Sequence, residues 1–249
     1  MRTVQVSRPQ TIDRVQRKRG IRPNERYLVP DLSPEARLNL RQLKPRYLFV
    51  AESPHVQEVE PEVQEQRRPL CGAAGKKWWG MLAQLLDGHL VLPAESREQQ
   101  LDLSLESLES FCLKHHLAVM NAVQYPLDPK VSKSFPEADP VKNLGFNKVS
   151  GPDSYQKKKD TPEVARALIS LGSRLSHEAV KNLPVYALGN DSEWWVLRAL
   201  AAQHESHRYA GKIPHPAAWW RRGGWFGQVA EEKLSALFRD PLLAHQSRS

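Results

Sequence analysis

Cysteine is scarce in this chain: two occur in 249 residues, Cys71 and Cys112, with no paired spacing. That excludes a disulfide framework, a four-cysteine zinc site and a four-cysteine iron–sulfur cluster. No apolar run reaches the roughly 18 residues a membrane-crossing helix needs, and the opening MRTVQVSRPQ lacks the apolar core of a signal peptide. The expectation is a cytoplasmic chain with no membrane partner. Neither Gly-x-Gly-x-x-Gly nor Gly-x-x-x-x-Gly-Lys-Ser/Thr occurs, so a dinucleotide or P-loop site has no support. Nine histidines are present, but His115 and His116 are adjacent and point apart, no His-x-x-x-His with a third ligand exists, and His204 and His207 read as a polar helix terminus. No metal and no other cofactor is expected.

What the chain has is positive charge. Lys and Arg number 36 against 28 Asp and Glu, a formal +8, which points to a polyanionic partner. Residues 1–46 hold twelve of the basic residues and four acids (Asp13, Glu25, Asp31, Glu35), so this segment carries the whole excess. Its cluster Arg14, Arg17, Lys18, Arg19 and Arg22 could meet several phosphates or serve as a solubilising arm. A second basic stretch lies at about 128–160, where Pro, Ser, Gly and Asn interrupt every pattern and Lys130, Lys133, Lys142, Lys148 and Lys157 to Lys159 recur. It reads as a long loop insertion, either solvated or a flap over a polyanion.

With 40% hydrophobic residues the chain can bury a core. Tyr47 to Ala51 suits a buried strand feeding the loop at Ser53-Pro54. A helix is expected over about 74–87. Leu101, Leu105, Leu108 and Cys112 share one helix face and lead into an apolar strand, Leu117 to Val123. Val164, Leu168, Leu171 and Leu175 predict a helix over about 161–181, and Val185 to Leu188 a strand. Gly189 to Ser192 then reads as a capped turn before a helix over 193–203. A strand near Arg208 to Ile213 and a helix over about 226–238 complete the series. Alternation of this kind predicts a single α/β domain, three-layer α/β/α with a central, mainly parallel sheet. The expected organisation is a basic arm over 1–44, the domain over 45–240 and a tail over 241–249. Ligands of such sheets gather beyond the carboxyl ends of the strands, here at Glu52, Asn121, Gly189 to Ser192 and Pro214 to Pro216.

Two constellations carry chemistry. In Phe49-Val50-Ala51-Glu52-Ser53-Pro54-His55, followed by Arg68-Pro69-Leu70-Cys71-Gly72-Ala73-Ala74-Gly75, a carboxylate directly follows a buried strand. Glu52 therefore either caps a backbone turn or faces a cleft. In Ile213-Pro214-His215-Pro216-Ala217-Ala218-Trp219-Trp220-Arg221-Arg222-Gly223-Gly224-Trp225-Phe226-Gly227, prolines fence one histidine and fix its backbone. Tryptophan interleaved with arginine suits stacking on unpaired bases and clamping phosphates, although Trp219, Trp220 and Trp225 could equally pack in the core.

Together these segments resemble the uracil-DNA glycosylase superfamily. The first looks like its strand-loop pattern, closest to the Gly-Glu-Ala-Pro-Gly form of the iron–sulfur branch, and Arg68 to Gly75 is similar to that branch's Arg-Pro-Phe-x-Gly-x-x-Gly. Met120-Asn121-Ala122-Val123 resembles the strand bearing a base-reading Asn. His215 to Trp219 stands where the family has His-Pro-Ser-Pro-Leu, and Arg222 to Gly227 is similar to the Arg-Gly-x-Phe-x-Gly that follows. The resemblance covers residues 45 to 240.

It implies hydrolysis of the N-glycosidic bond of a base flipped out of DNA, leaving an abasic site. By position Glu52 would activate water and stabilise the sugar cation, and His215 would donate to the departing base. Asn121 would read the base edge, with Leu70, His55 and Ser53 beside it. Trp219 would fill the gap left in the duplex. Trp220, Arg221, Arg222 and Ser192 are the implied DNA contacts, to which the charge of the N-terminal arm adds Arg17, Lys18 and Arg19. Leu70 replaces the family's stacking Phe, His55 stands where other branches carry Gly or Tyr, Ser53 replaces an Asp or Asn, and the cluster cysteines are missing. Uracil repair, excision of a bulky modified phage cytosine as antiviral defence, and a catalytically inactive DNA-binding member therefore stand as alternatives. The expected partner is DNA and the expected state a monomer.

Overall fold

The computed structural model describes residues 28–32, 45–59, 66–88, 103–127 and 162–239. Arg17, Lys18, Arg19, the insertion at 128–160 and the tail at 241–249 lie outside the described residues.

Four short apolar runs form an all-parallel sheet: β1 (Tyr47–Ala51), β2 (Leu117–Asn121), β3 (Val185–Leu188) and β4 (Tyr209–Ile213), in the order β2-β1-β3-β4. Six helices accompany them among the described residues: α1 (Val56–Val59), α2 (Ala73–Asp87), α3 (Leu105–His115), α4 (Pro162–Leu175), α5 (Gly189–Ala202) and α6 (Trp225–Arg239). Side chains alternate along the strands and build one core on each face. Leu48, Val50, Ala118, Met120, Val185 and Ala187 pack with Val164, Leu171 and Leu175 of α4 and Trp195, Val196 and Leu200 of α5. Phe49, Ala51, Leu117, Val119 and Ile213 pack on the other face with Trp78, Trp79 and Leu82 of α2, Leu108 and Cys112 of α3, and Leu234 and Leu237 of α6. The result is the expected three-layer α/β arrangement.

Several boundaries differ from the sequence pattern, each for a local reason. The β2 ladder stops at Asn121, because the backbone N–H groups of Ala122 and Val123 turn to the carbonyls of Ala51 and Glu52 at 2.7 and 2.9 Å. Helix α3 begins only after Ser104, whose hydroxyl accepts the Ser107 N–H at 3.3 Å; Leu101 is outside the described residues. It ends on His116, a non-glycine residue at φ 56°. Helix α4 ends at Leu175 rather than near 181, and the imidazole of His177 then accepts the Ala179 N–H at 3.3 Å, closing a non-helical turn. No capped turn separates β3 from α5: the helix starts at Gly189 itself, with no side-chain cap.

The fold also reaches into the segment assigned to the basic arm. Leu32 exchanges both backbone hydrogen bonds with Val119 of β2, at 2.8 and 2.9 Å, in antiparallel sense, and Val29 N–H donates to the Gln124 carbonyl at 3.1 Å. Val29 and Leu32 are buried. Arg174 holds this strap to the end of β2: its guanidinium pairs with Asp31 at 2.8 Å and donates to the carbonyls of Asn121 at 2.9 Å and Ala122 at 2.7 Å.

Candidate functional site

The chain leaves β1 for one side of the sheet and β3 lies on the other, so connections diverge at the carboxyl ends of these two neighbours. A crevice at such a divergence is where open parallel sheets take ligands. Val50 pairs with Ala187, so Glu52 and Gly189, each two residues further on, stand level at this point. His215 follows β4 by two residues, Ile213 being paired with Leu188. One strand, β3, separates the Glu52 and His215 strands, a lateral distance of about 10 Å at the usual strand spacing. Glu52 and Ser53 are half-buried, and Glu52's own carbonyl is held by the Val123 N–H at 2.9 Å.

His215 is fixed from several directions. It caps a 3-10 turn, Pro216–Ala218, its Nδ1 accepting the Ala217 N–H at 3.2 Å. Its Cβ lies against the backbone of Gly189, which sits at φ 91°. Burial, and secondarily the positive charge of Arg221, pushes its pKa down to about 4. The ring is therefore neutral at neutral pH, and because Nδ1 accepts, its proton sits on Nε2. A neutral donor of this kind can stabilise an anion developing on a leaving group without first losing a proton.

The loop around His215 is bolted by Trp219. Its indole N–H donates to the Pro214 carbonyl at 2.8 Å, its ring lies 6.4 Å from Trp78, and it is 7% exposed. This corrects the expectation that Trp219 fills a gap in a duplex: the side chain is committed to the core beneath the loop. The exposed aromatic is its neighbour Trp220, 66% exposed, with Trp225 at 50%. The guanidinium of Arg221 lies 5.9 Å from the Trp220 ring and that of Arg222 5.5 Å from Phe226, both arginines being exposed. Ser192 is also corrected. It is wholly buried, and its hydroxyl donates to the Val50 carbonyl at 2.5 Å inside the sheet, so it is not a phosphate contact.

Asn121, His55 and Leu70 meet around a residue the sequence did not single out, Glu58. Lying in α1 and buried, Glu58 accepts the Asn121 Nδ2–H at 3.2 Å and hydrogen bonds from the His55 and Leu70 backbones, with Arg68 nearby. Burial pushes its carboxyl up to about 7, against the lowering effect of those bonds. Asn121 is buried, and its Oδ1 has no hydrogen-bond partner. His55 is exposed, its Nδ1 accepting the Gln57 N–H at 3.4 Å. Leu70 is buried among the aromatic residues of the second core at φ 58°, and its carbonyl accepts the Trp79 indole N–H at 2.8 Å. A Cβ at Gly75 would fall 1.6 Å from that carbonyl, so only glycine fits there. Glu58 stands in an acidic, Gln-rich stretch whose composition reads as solvated surface, and no local signal marks it. Arg174 likewise reads in the sequence as an ordinary basic residue near a helix end.

Among the described residues no group of three or more His, Cys, Asp or Glu side chains could hold a metal ion, and no helix is long and apolar enough to cross a membrane. No protein-family model, no curated protein and no solved structure matches the chain.

Proposed function

We propose that the chain is a DNA glycosylase acting on a base flipped out of the helix. The feature that carries this reading is the placement of Glu52 and a neutral, Nε2-protonated His215 just past the carboxyl ends of β1 and β4, which the single strand β3 separates, about 10 Å apart at the usual strand spacing. Water attacks C1′ as the C1′–N bond breaks; the new C1′–O bond replaces it, and the water proton passes by way of Glu52 to solvent or to the departing base. Glu52 orients the water and offsets positive charge on the sugar. The Nε2–H of His215 donates to the base oxygen on which negative charge builds. Asn121 reads the base edge, with His55 and Ser53 at its side. Trp220, Arg221 and Arg222 supply an aromatic face and two cations suited to unstacked bases and phosphates. The superfamily resemblance of the same motifs, in the same order along the chain, supports this assignment.

The test is incubation of the full chain with single- and double-stranded oligonucleotides carrying uracil, hypoxanthine, xanthine or a bulky modified cytosine, followed by alkaline cleavage of abasic sites and mass measurement of the liberated base. Glu52→Gln and His215→Ala are each expected to lose about 100-fold or more in rate with binding retained. Release of no base from any substrate would remove the enzymatic reading and leave the DNA-binding one.

A further inference from the structure

The hydrogen bonding around Asn121 is one-sided. An ionised carboxylate can only accept, so the Glu58 carboxylate obliges Asn121 to turn its amide nitrogen inward. The carbonyl oxygen, Oδ1, is then the atom left to a ligand, and it is buried without a partner. Leaving such an acceptor unsatisfied carries a desolvation cost that a ligand N–H would recover. The backbone donors of His55 and Leu70 hold the carboxyl in place, so Asn121 cannot easily drag it round.

We infer that Glu58 is a positioning residue that sets which edge of the Asn121 amide meets the ligand, so that the site takes a base presenting a ring N–H there, as uracil and hypoxanthine do, and disfavours one presenting a bare ring nitrogen, as cytosine and adenine do. The identity of the ligand rests on the glycosylase reading; the coupling of Glu58 to Asn121 does not. Once Glu58 takes a proton, its O–H can donate to Oδ1, the amide is free to turn over, and the preference relaxes. The carboxyl, pushed up to about 7, makes that change in an accessible range. The groups facing it are Asn121 from β2, the His55 and Leu70 peptides and the Arg68 guanidinium; the exposed imidazole of His55 lies in the same turn.

Two measurements on the full chain test this. The first is the side-chain amide resonance of 15N-labelled Asn121, assigned by its loss in Asn121→Asp. It is expected to titrate with a midpoint near 7 and to be flat in Glu58→Gln; a resonance that does not move with pH in the parent chain overturns the coupling. The second is binding of oligonucleotides that differ only in carrying uracil, hypoxanthine, cytosine or adenine at one position. At pH 8 the N–H-bearing bases are expected to bind about 10-fold more tightly, the discrimination one well-aligned hydrogen bond gives. At pH 6 in the parent chain, and at both pH values in Glu58→Gln, the ratio is expected to shrink to a few-fold, and the pH response is expected to persist in His55→Gln. An unchanged ratio in Glu58→Gln overturns the positioning role. A titrating amide with no oligonucleotide bound overturns the assignment of a base as ligand, together with the glycosylase reading, and leaves the coupling standing.

Discussion

A Cβ built on Gly189 would lie 2.9 Å from the Cβ of His215, closer than real side chains approach. The two residues end neighbouring strands, so the absence of a side chain at the start of α5 is what lets the His215 loop close over β3. Gly189 also sits at φ 91°, where an L-residue is strained. Gly189→Ala is therefore expected to destabilise the fold by about 1–3 kcal/mol and to displace the imidazole. If His215 acts on a departing base, the rate should fall at least 10-fold more than DNA affinity does. Crystallography of the variant with an unmoved His215, or parallel losses of rate and affinity, would contradict this link.

The adjacent tryptophans take opposite environments. Trp219 is buried and bonded to Pro214, whereas Trp220 is largely in solvent beside Arg221. Trp219→Ala is expected to cost about 3–5 kcal/mol of folding stability. Trp220→Ala should change stability by no more than about 0.5 kcal/mol while weakening single-stranded DNA binding by about 1–3 kcal/mol. Urea unfolding and fluorescence anisotropy of both variants check the pair of effects; a Trp220 variant with unaltered affinity would remove that face from the interface.

The strands were legible because they depend on pattern: Tyr47 to Ala51 and Val185 to Leu188 are short apolar runs bounded by breakers, and helical periodicity between such runs gives the alternation of a parallel sheet. Which tryptophan faces outward was not legible, because Trp219 and Trp220 are adjacent in a loop with no period to assign them. Ser192 resembles a cap because Gly, Asn, Asp and Ser favour turns, yet the helix starts earlier and takes its hydroxyl inside. Glu58 is hidden for a different reason. Its burial is set by partners 12 and 63 residues away, Leu70 and Asn121, and no local pattern encodes such a meeting.

Two groups at the site pull stability in opposite directions with pH. The folded chain keeps His215 neutral down to about pH 4, while its ordinary value is 6.5. Between these values the unfolded chain binds the extra proton, so His215 makes stability rise with pH. Glu58 keeps its proton up to about pH 7 when folded, against an ordinary value of 4.5. In that interval the folded chain holds the extra proton, so Glu58 makes stability fall as pH rises. Glu58→Gln removes only the second effect. Its stability relative to the parent chain is expected to climb through the interval from 4.5 to 7, by an amount on the order of 3 kcal/mol, and to level off on either side. Urea titrations at several pH values read this directly, and a difference between the two chains that is constant with pH would show that the carboxyl is not held protonated by burial.

The strap at 28–32 gives the basic N-terminal segment a fixed point of departure. Because Leu32 pairs with Val119 in antiparallel sense and Val29 bonds to Gln124, the chain read backwards from Leu32 travels toward the carboxyl end of β2, the end that carries Asn121. Arg14, Arg17, Lys18, Arg19 and Arg22 precede the strap in the sequence. Removing residues 1–27 takes away eight of the chain's 36 Lys and Arg residues and none of the residues of the strap itself. The truncated chain is expected to bind DNA more weakly at low salt, and the slope of log affinity against log salt should become shallower by about 0.7–0.9 for each phosphate that is no longer neutralised. Equal slopes for the full and truncated chains would show that the charge excess serves solubility and that Arg221, Arg222 and their neighbours carry the electrostatic attraction alone.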